Sequence, residues 1–202
     1  MINRELIRLK VVQLVYSYYQ NEGKTLDTAE KELDFSLNKA YDLYQYLLWQ
    51  LVEVKKVAER KDAVRLSREK RTGVVVGGIV PDKQLADNKF LCQLAINKEM
   101  IDFKENKKGQ WDGEEAFVMK LYNTFLESDE FQLYLNKENF SYAADRELIR
   151  KLYKTYICGN EDFVPMLEDH SLYWNDDKQV IDSFVLKSIK RFDEKLGADQ
   201  PL

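Results

Sequence analysis

The sequence predicts an all-α protein, built as one or more helical bundles. Only 8 of the 202 residues are glycine and 3 are proline, which favours long helices over many short strands. Apolar residues make up 45% of the chain, including 12 tyrosines and 10 phenylalanines, so a sizeable core can form. Over most of the chain these residues recur every three or four positions, which is the period of an amphipathic helix.

The first predicted helix covers residues 2–20, and its apolar residues occupy two faces. One face holds Ile7, Val11, Leu14, Val15 and Tyr18, and the other holds Leu9, Val12, Tyr16 and Tyr19. A helix that is apolar on both sides is expected to lie centrally between neighbouring helices, with its tyrosines in the core. Its first turns nevertheless carry Arg4, Arg8 and Lys10, and an unpaired charge in a core is costly. These cations are therefore predicted to lie at a protruding end or to face a negatively charged partner.

A second, long helix is predicted over residues 27–71. Its apolar residues alternate spacings of four and three, as in the seam of a helical hairpin, at Leu33, Leu37, Ala40, Tyr44, Leu47, Leu51, Val54 and Ala58. Because this length far exceeds the average helix of about 11 residues, one break within it is expected. The Gly-rich stretch 72–83 is predicted to be a loop, and it lacks the Gly-Lys-Ser/Thr ending of a phosphate-binding P-loop.

Four further helices are predicted from periodicity, over residues 85–107, 114–127, 145–158 and 175–196. Two of them share a Lys-Leu-Tyr-x-Thr core, at residues 120–124 and 151–155. This repetition indicates a pair of related helices that pack in similar environments.

No group of residues predicts catalysis, a metal site or a cofactor. His170 is the only histidine and has no partner at catalytic or metal-ligand spacing, so we expect it to face solvent or to cap a helix. Cys92 and Cys158 lie within helical patterns and are expected to be small packing residues. The paired carboxylates at 168–169 and 176–177 are expected at helix ends. An enzyme is therefore not the predicted class.

The chain carries a net charge of -4, but its basic residues are concentrated in two segments. Residues 1–20 are basic overall, and residues 55–71 hold eight basic side chains against three acidic ones. Charge segregation of this kind often marks a surface that faces an anion. For residues 55–71 two interpretations stay open, a solvated helix with internal ion pairs or a surface that contacts phosphates.

Neither a signal peptide nor a run of about 20 apolar residues is visible in the sequence. The two cysteines form no disulfide framework, which fits a reducing compartment. We therefore expect a soluble cytoplasmic protein without a membrane partner.

Two segments resemble the NusB family of transcription antitermination factors. The first is "RELIRLKVVQLVYSYYQ", in which an arginine-rich start leads into Val12, Gln13 and Tyr16. The second covers residues 145–192 and contains "LIRKLYKTYICGNEDF", Trp174 and "VIDSFVLKSIKRF". The chain length and the phrase "SLYWNDD" look most like the enlarged NusB proteins of the Bacteroides group.

This resemblance implies an all-helical RNA-binding factor without catalysis or cofactor. Proteins of the family bind boxA-like single-stranded RNA together with NusE, a ribosomal small-subunit protein, and act on the RNA polymerase elongation complex. Arg4 and Arg8 fall where the family carries RNA-binding arginines, and Lys10 is an additional base. We expect the RNA-binding surface to continue through Arg65, Arg68 and Arg71.

The resemblance also implies a domain organisation. Residues 1–20 and 114–202 would form a NusB-like core within a single all-helical domain, and residues 21–113 a helical insertion with a Gly-rich loop at 72–83. No counterpart of the family's terminal helix follows Leu196, which indicates either a natural protein that continues beyond Leu202 or a divergent variant that has lost its final helices. The alternative to an RNA-binding factor is a helical protein-interaction scaffold, which the acidic remainder of the chain and the long apolar seam favour.

Overall fold

The computed structural model describes residues 4–20, 25–75, 77–107, 113–137 and 139–202. Within these ranges it contains ten α-helices, one 3₁₀ helix and no β-strand, so the all-α prediction is confirmed. The helices are α1 Arg4–Gln20, α2 Leu26–Thr72, α3 Pro81–Ala86, α4 Lys89–Ala95, α5 Lys98–Asn106, α6 Glu115–Glu127, α7 Asp129–Leu135, α8 Tyr142–Tyr156, α9 Phe163–His170 and α10 Leu172–Arg191, followed by the 3₁₀ helix Glu194–Asp199. Residues 2–3 of the first predicted helix and residue 76 of the predicted loop lie outside the described part.

The long helix α2 forms the centre of the fold, because α1, α3, α4, α5, α6 and α10 all pack against it. The predicted apolar seam is buried from Ala40 to Ala58. The predicted break is wrong, because α2 runs for 47 residues without interruption. Within α2 there is no glycine or proline, and Gly73 ends the helix in a left-handed conformation with φ 68° that glycine adopts without strain.

The predicted helix over residues 85–107 is instead three short helices, α3, α4 and α5. Asn88 and Asn97 separate them, and each side chain accepts a hydrogen bond from the backbone N–H three residues later, as helix N-caps do. Both asparagines are fully buried. Their amide groups are satisfied there because they also donate to distant backbone carbonyls, that of Asn97 to Gln200 at 2.7 Å. Periodicity alone did not show these interruptions, since the apolar spacing continues through them.

The second half of the chain surrounds this centre. The predicted helices at 114–127 and 145–158 are present as α6 and α8, and in both copies of the Lys-Leu-Tyr core the lysine is exposed while the leucine and tyrosine are buried. The shared environment predicted for them is confirmed. Helices α7 and α9 were not predicted, and α10 begins at a serine N-cap, Ser171, before the predicted start.

Helix α1 is a helix as predicted, but it lies at the edge of the fold and not at its centre. Only Leu6 and Lys10 are buried, whereas Val12, Tyr16 and Tyr19 are 67%, 68% and 82% exposed. The reason is that α1 has neighbours on one side only, chiefly α2. The prediction that its tyrosines belong to the core is therefore wrong, and the second apolar face of α1 is open.

Candidate nucleic-acid interface

The first basic surface is the start of α1. Arg4 and Arg8 lie one helical turn apart and are both exposed. In the described part of the chain neither side chain has a hydrogen-bond or ion-pair partner. Leu6, which lies between them in the sequence, is buried and anchors this turn of the helix. The two guanidinium groups therefore extend from a backbone that is held in place.

Lys10 does not belong to this exposed surface, and its predicted role as an RNA contact needs correction. Its Nζ lies 2.6 Å from Oδ1 of Asp177 on α10, and the two side chains are 4% and 0% exposed. Burial raises the pKa of Asp177 above its ordinary value of 3.8, while the ammonium of Lys10 opposes that rise. The pair therefore fastens α1 to α10. It also corrects the expectation that the carboxylates at 176–177 serve only a helix end.

The second basic surface is the part of α2 beyond its last buried residue, Ala58, which we call the distal segment (residues 59–72). None of these residues is buried, and at 1.5 Å per residue the segment extends about 20 Å from the packed body. Lys55, just before the distal segment, pairs with Glu59 at its start. Nζ of Lys56 lies 2.6 Å from Oε1 of Glu53. Internal ion pairs, the first interpretation of this basic stretch, are thus present.

Arg65 is also engaged within the helix, contrary to the prediction that it is available to RNA. Its Nε and Nη2 donate to Oδ1 of Asp62 at 2.9 and 2.6 Å, and its Nη1 donates to Oε1 of Glu69 at 2.7 Å. A planar guanidinium group suits two carboxylates at these spacings. Arg68 and Arg71, by contrast, are exposed, and their guanidinium groups have no hydrogen-bond or ion-pair partner within the described ranges.

The two basic surfaces are well separated along α2. One cavity, of about 300 Å³, is lined by Lys10 and Ser17 of α1 and by Glu32 and Ser36 of α2. This part of α1 therefore lies beside the first turns of α2. From Ser36 to the distal segment is more than twenty residues of unbroken helix, or roughly 35 Å at 1.5 Å per residue. The predicted RNA-binding residues therefore form two surfaces and not one.

A polar cluster that the sequence did not reveal surrounds His170. Its Nε2 lies 2.5 Å from Oε1 of Glu114, and Tyr46 and Gln50 donate to the same carboxylate, each at 3.0 Å. His170 is half-buried, so the expectation that it faces solvent or only caps a helix is wrong. The cluster ties α2 and α9 to the start of α6. Its members are far apart in sequence, and no motif connects them.

The remaining candidates for chemistry are accounted for by packing. Burial raises the pKa of both thiols, that of Cys158 to about 11, so each cysteine stays protonated and weakly nucleophilic near neutral pH.

Among the residues that the structure describes, no three His, Cys, Asp or Glu side chains are grouped to hold a metal ion. The same residues include no helix that is both long and apolar enough to cross a bilayer.

The fold and its charges define an all-helical protein with two separate surfaces of exposed cations. Comparison of the chain with family models, with curated proteins and with solved structures gave no match.

Proposed function

We propose that this chain is an RNA-binding adaptor of the transcription antitermination type. The observation that carries the proposal is the pair of exposed arginines, Arg4 and Arg8, which have no partner in the described chain and extend from an anchored helix. Guanidinium groups bind phosphates through a planar fork and stack on unpaired bases, as recognition of single-stranded RNA requires. Two of them in fixed register supply contacts that position an RNA strand.

The resemblance of the first helix to NusB supplies the proposed biological setting. There the ligand is a boxA-like single-stranded RNA, the protein partner is NusE, and the complex acts on the RNA polymerase elongation complex, on both termination and antitermination. The proposal assigns the RNA contacts to Arg4 and Arg8 and leaves Lys10 in its ion pair with Asp177.

A titration with labelled boxA-like RNA tests this proposal. We expect Arg4→Ala/Arg8→Ala to weaken binding by about tenfold or more, because two charge-assisted contacts are lost. The slope of log Kd against log salt should fall by about 1.4, at about 0.7 per phosphate contact on a single strand. The matched control is Lys151→Ala/Lys154→Ala, which removes two exposed lysines of α8. Equal binding by the two double variants would overturn the proposal.

A second function, a helical protein-interaction scaffold, is favoured by the open apolar face of α1. Val12, Val15, Tyr16 and Tyr19 lie three or four residues apart on one side of the helix, and they are 67%, 46%, 68% and 82% exposed. Contiguous apolar surface of this kind commonly marks a site of protein association.

Pull-down with wild-type protein and with Val12→Ser/Tyr16→Ser distinguishes the scaffold from the RNA adaptor. The scaffold requires a protein partner that wild type retains and the variant loses, with no RNA bound by either. Equal recovery of the partner by both proteins would rule out this face as the docking surface.

A further inference from the structure

The distal segment of α2 combines high positive charge with exposure to solvent. Residues 60–72 hold six basic side chains against two acidic ones, in a chain whose net charge is -4. None of the segment's residues is buried, and all of its basic side chains other than Arg65 are exposed. Its electrostatic field therefore points into solvent, where a ligand can reach it.

Arg65 gathers carboxylates of the distal segment at one place on the helix. Two of the segment's three acidic residues, Asp62 and Glu69, accept hydrogen bonds from this one guanidinium group, and the third, Glu59, pairs with Lys55. A single cation thus engages both carboxylates of residues 60–72, and the other five basic side chains have no ion-pair partner among the described residues. Arg65 and Glu69 both line the groove described next, so Arg65 neutralises the carboxylate that lies beside the exposed cations.

Three of the unpaired cations share one groove with apolar side chains. Lys61, Arg68 and Arg71 line a groove of about 890 Å³ together with Val64 and Val74, which we call the distal groove. The two valines are 70% and 68% exposed. In the described part of the chain, none of the three cationic groups has a hydrogen-bond or ion-pair partner.

The spacing of these cations favours an extended polyanion over a single phosphate group. Lys61 and Arg71 are ten residues apart on a straight helix, or about 15 Å at 1.5 Å per residue, with Arg68 between them. A single strand of nucleic acid offers phosphates along such a length, and its sugars and bases can lie on the exposed valines. Lys61, Val64, Arg68 and Arg71 follow one another at spacings of three, four and three residues, so they form one stripe along the helix that a single strand can follow.

We propose that the distal groove binds the phosphate backbone of a single-stranded nucleic acid. The choice of ligand rests on the proposed RNA-binding function, but the site uses no residue of α1. Arginine and lysine contacts to phosphate are independent of sequence, so the groove adds affinity and not base specificity. With the arginines of α1 roughly 35 Å away along α2, a long RNA could occupy both surfaces together.

The test is fluorescence anisotropy of labelled oligouridine RNA and of labelled oligothymidine DNA with three full-length variants. The groove variant is Lys61→Gln/Arg68→Gln/Arg71→Gln, and the α1 variant is Arg4→Gln/Arg8→Gln. The charge-matched control is Lys151→Gln/Lys154→Gln/Lys190→Gln, which changes exposed lysines of α8 and α10. Because every changed residue is exposed, folding is expected to be unaffected, and circular dichroism checks this.

We expect the groove variant to weaken binding of both ligands by about tenfold or more, and to lower the slope of log Kd against log salt by about 2. The control should stay within about twofold of wild type. A groove variant that binds like the control overturns the groove, whatever the α1 variant does. Loss with the groove variant alone supports the groove and removes α1 from the proposed function. Oligoglutamate and phosphatidylserine vesicles are titrated as alternative anions. If the groove variant loses binding to one of these and keeps binding to both oligonucleotides, nucleic acid is the wrong class of ligand.

Discussion

The start of α1 and the distal segment of α2 both combine two kinds of cation. Each has exposed cations and, next to them, one cation that forms an ion pair with one or more carboxylates. At α1 that cation is Lys10, and its partner Asp177 lies in the core, on a helix near the other end of the chain. In the distal segment it is Arg65, whose partners are three and four residues away on the surface of the same helix. A basic residue in a sequence is therefore an available charge only if neither its own helix nor a distant one supplies a carboxylate. The two pairs should also differ widely in energy.

The largest effect is expected from the buried pair. Lys10→Met leaves Asp177 charged, buried and without its cation, and breaking a buried ion pair from one side costs about 3–5 kcal/mol. Urea denaturation of the variant and of wild type measures this difference in the free energy of unfolding. The matched control is Arg8→Met on the same helix, for which we expect a change within about 0.5 kcal/mol because that side chain is exposed.

Two further measurements sharpen the Lys10 prediction. The double variant Lys10→Met/Asp177→Leu should recover most of the lost stability, because an apolar pair leaves no stranded charge. The deficit of Lys10→Met should also shrink as the pH falls. Burial raises the pKa of Asp177 in the folded state, so its neutral form stabilises the fold at low pH, and this contribution disappears as the pH rises through the raised pKa. A deficit as small as that of Arg8→Met would show that the pair is not closed in solution.

Local patterns predicted much of the fold. The apolar seam of α2 is buried from Ala40 to Ala58 as its spacing predicts, because heptad spacing reports a helix face directly. The spacing of Asp62, Arg65 and Glu69 likewise corresponds to neighbours on a helix surface, so that pairing could be read from sequence. The predicted break in α2 failed because an average helix length contains no information about this chain.

Features that depend on distant parts of the chain were not predictable. The pairing of Lys10 with Asp177 and that of His170 with Glu114 both join segments far apart in sequence. The exposure of α1 was missed for the same reason. Its two apolar faces indicate burial, but whether a neighbour covers each face is decided by tertiary packing and not by periodicity. The candidate site was therefore only partly predicted. The charge pattern identified the two basic segments, but packing and ion pairing decide which of their cations are available to a ligand.

The smallest effect is expected from the surface network of Arg65. Arg65→Gln removes ion pairs on the surface of the outer end of α2, and ion pairs at a surface contribute little to global stability. Because no residue of the distal segment is buried, this loss should fray the segment without lowering the global free energy of unfolding. Hydrogen exchange would then show the amides of residues 66–72 exchanging up to about fivefold faster, with Ala40–Ala58 unchanged and the difference reduced by salt. A global loss comparable to that of Lys10→Met would mean that the distal segment is packed in solution, and the contrast between the two basic surfaces would not hold.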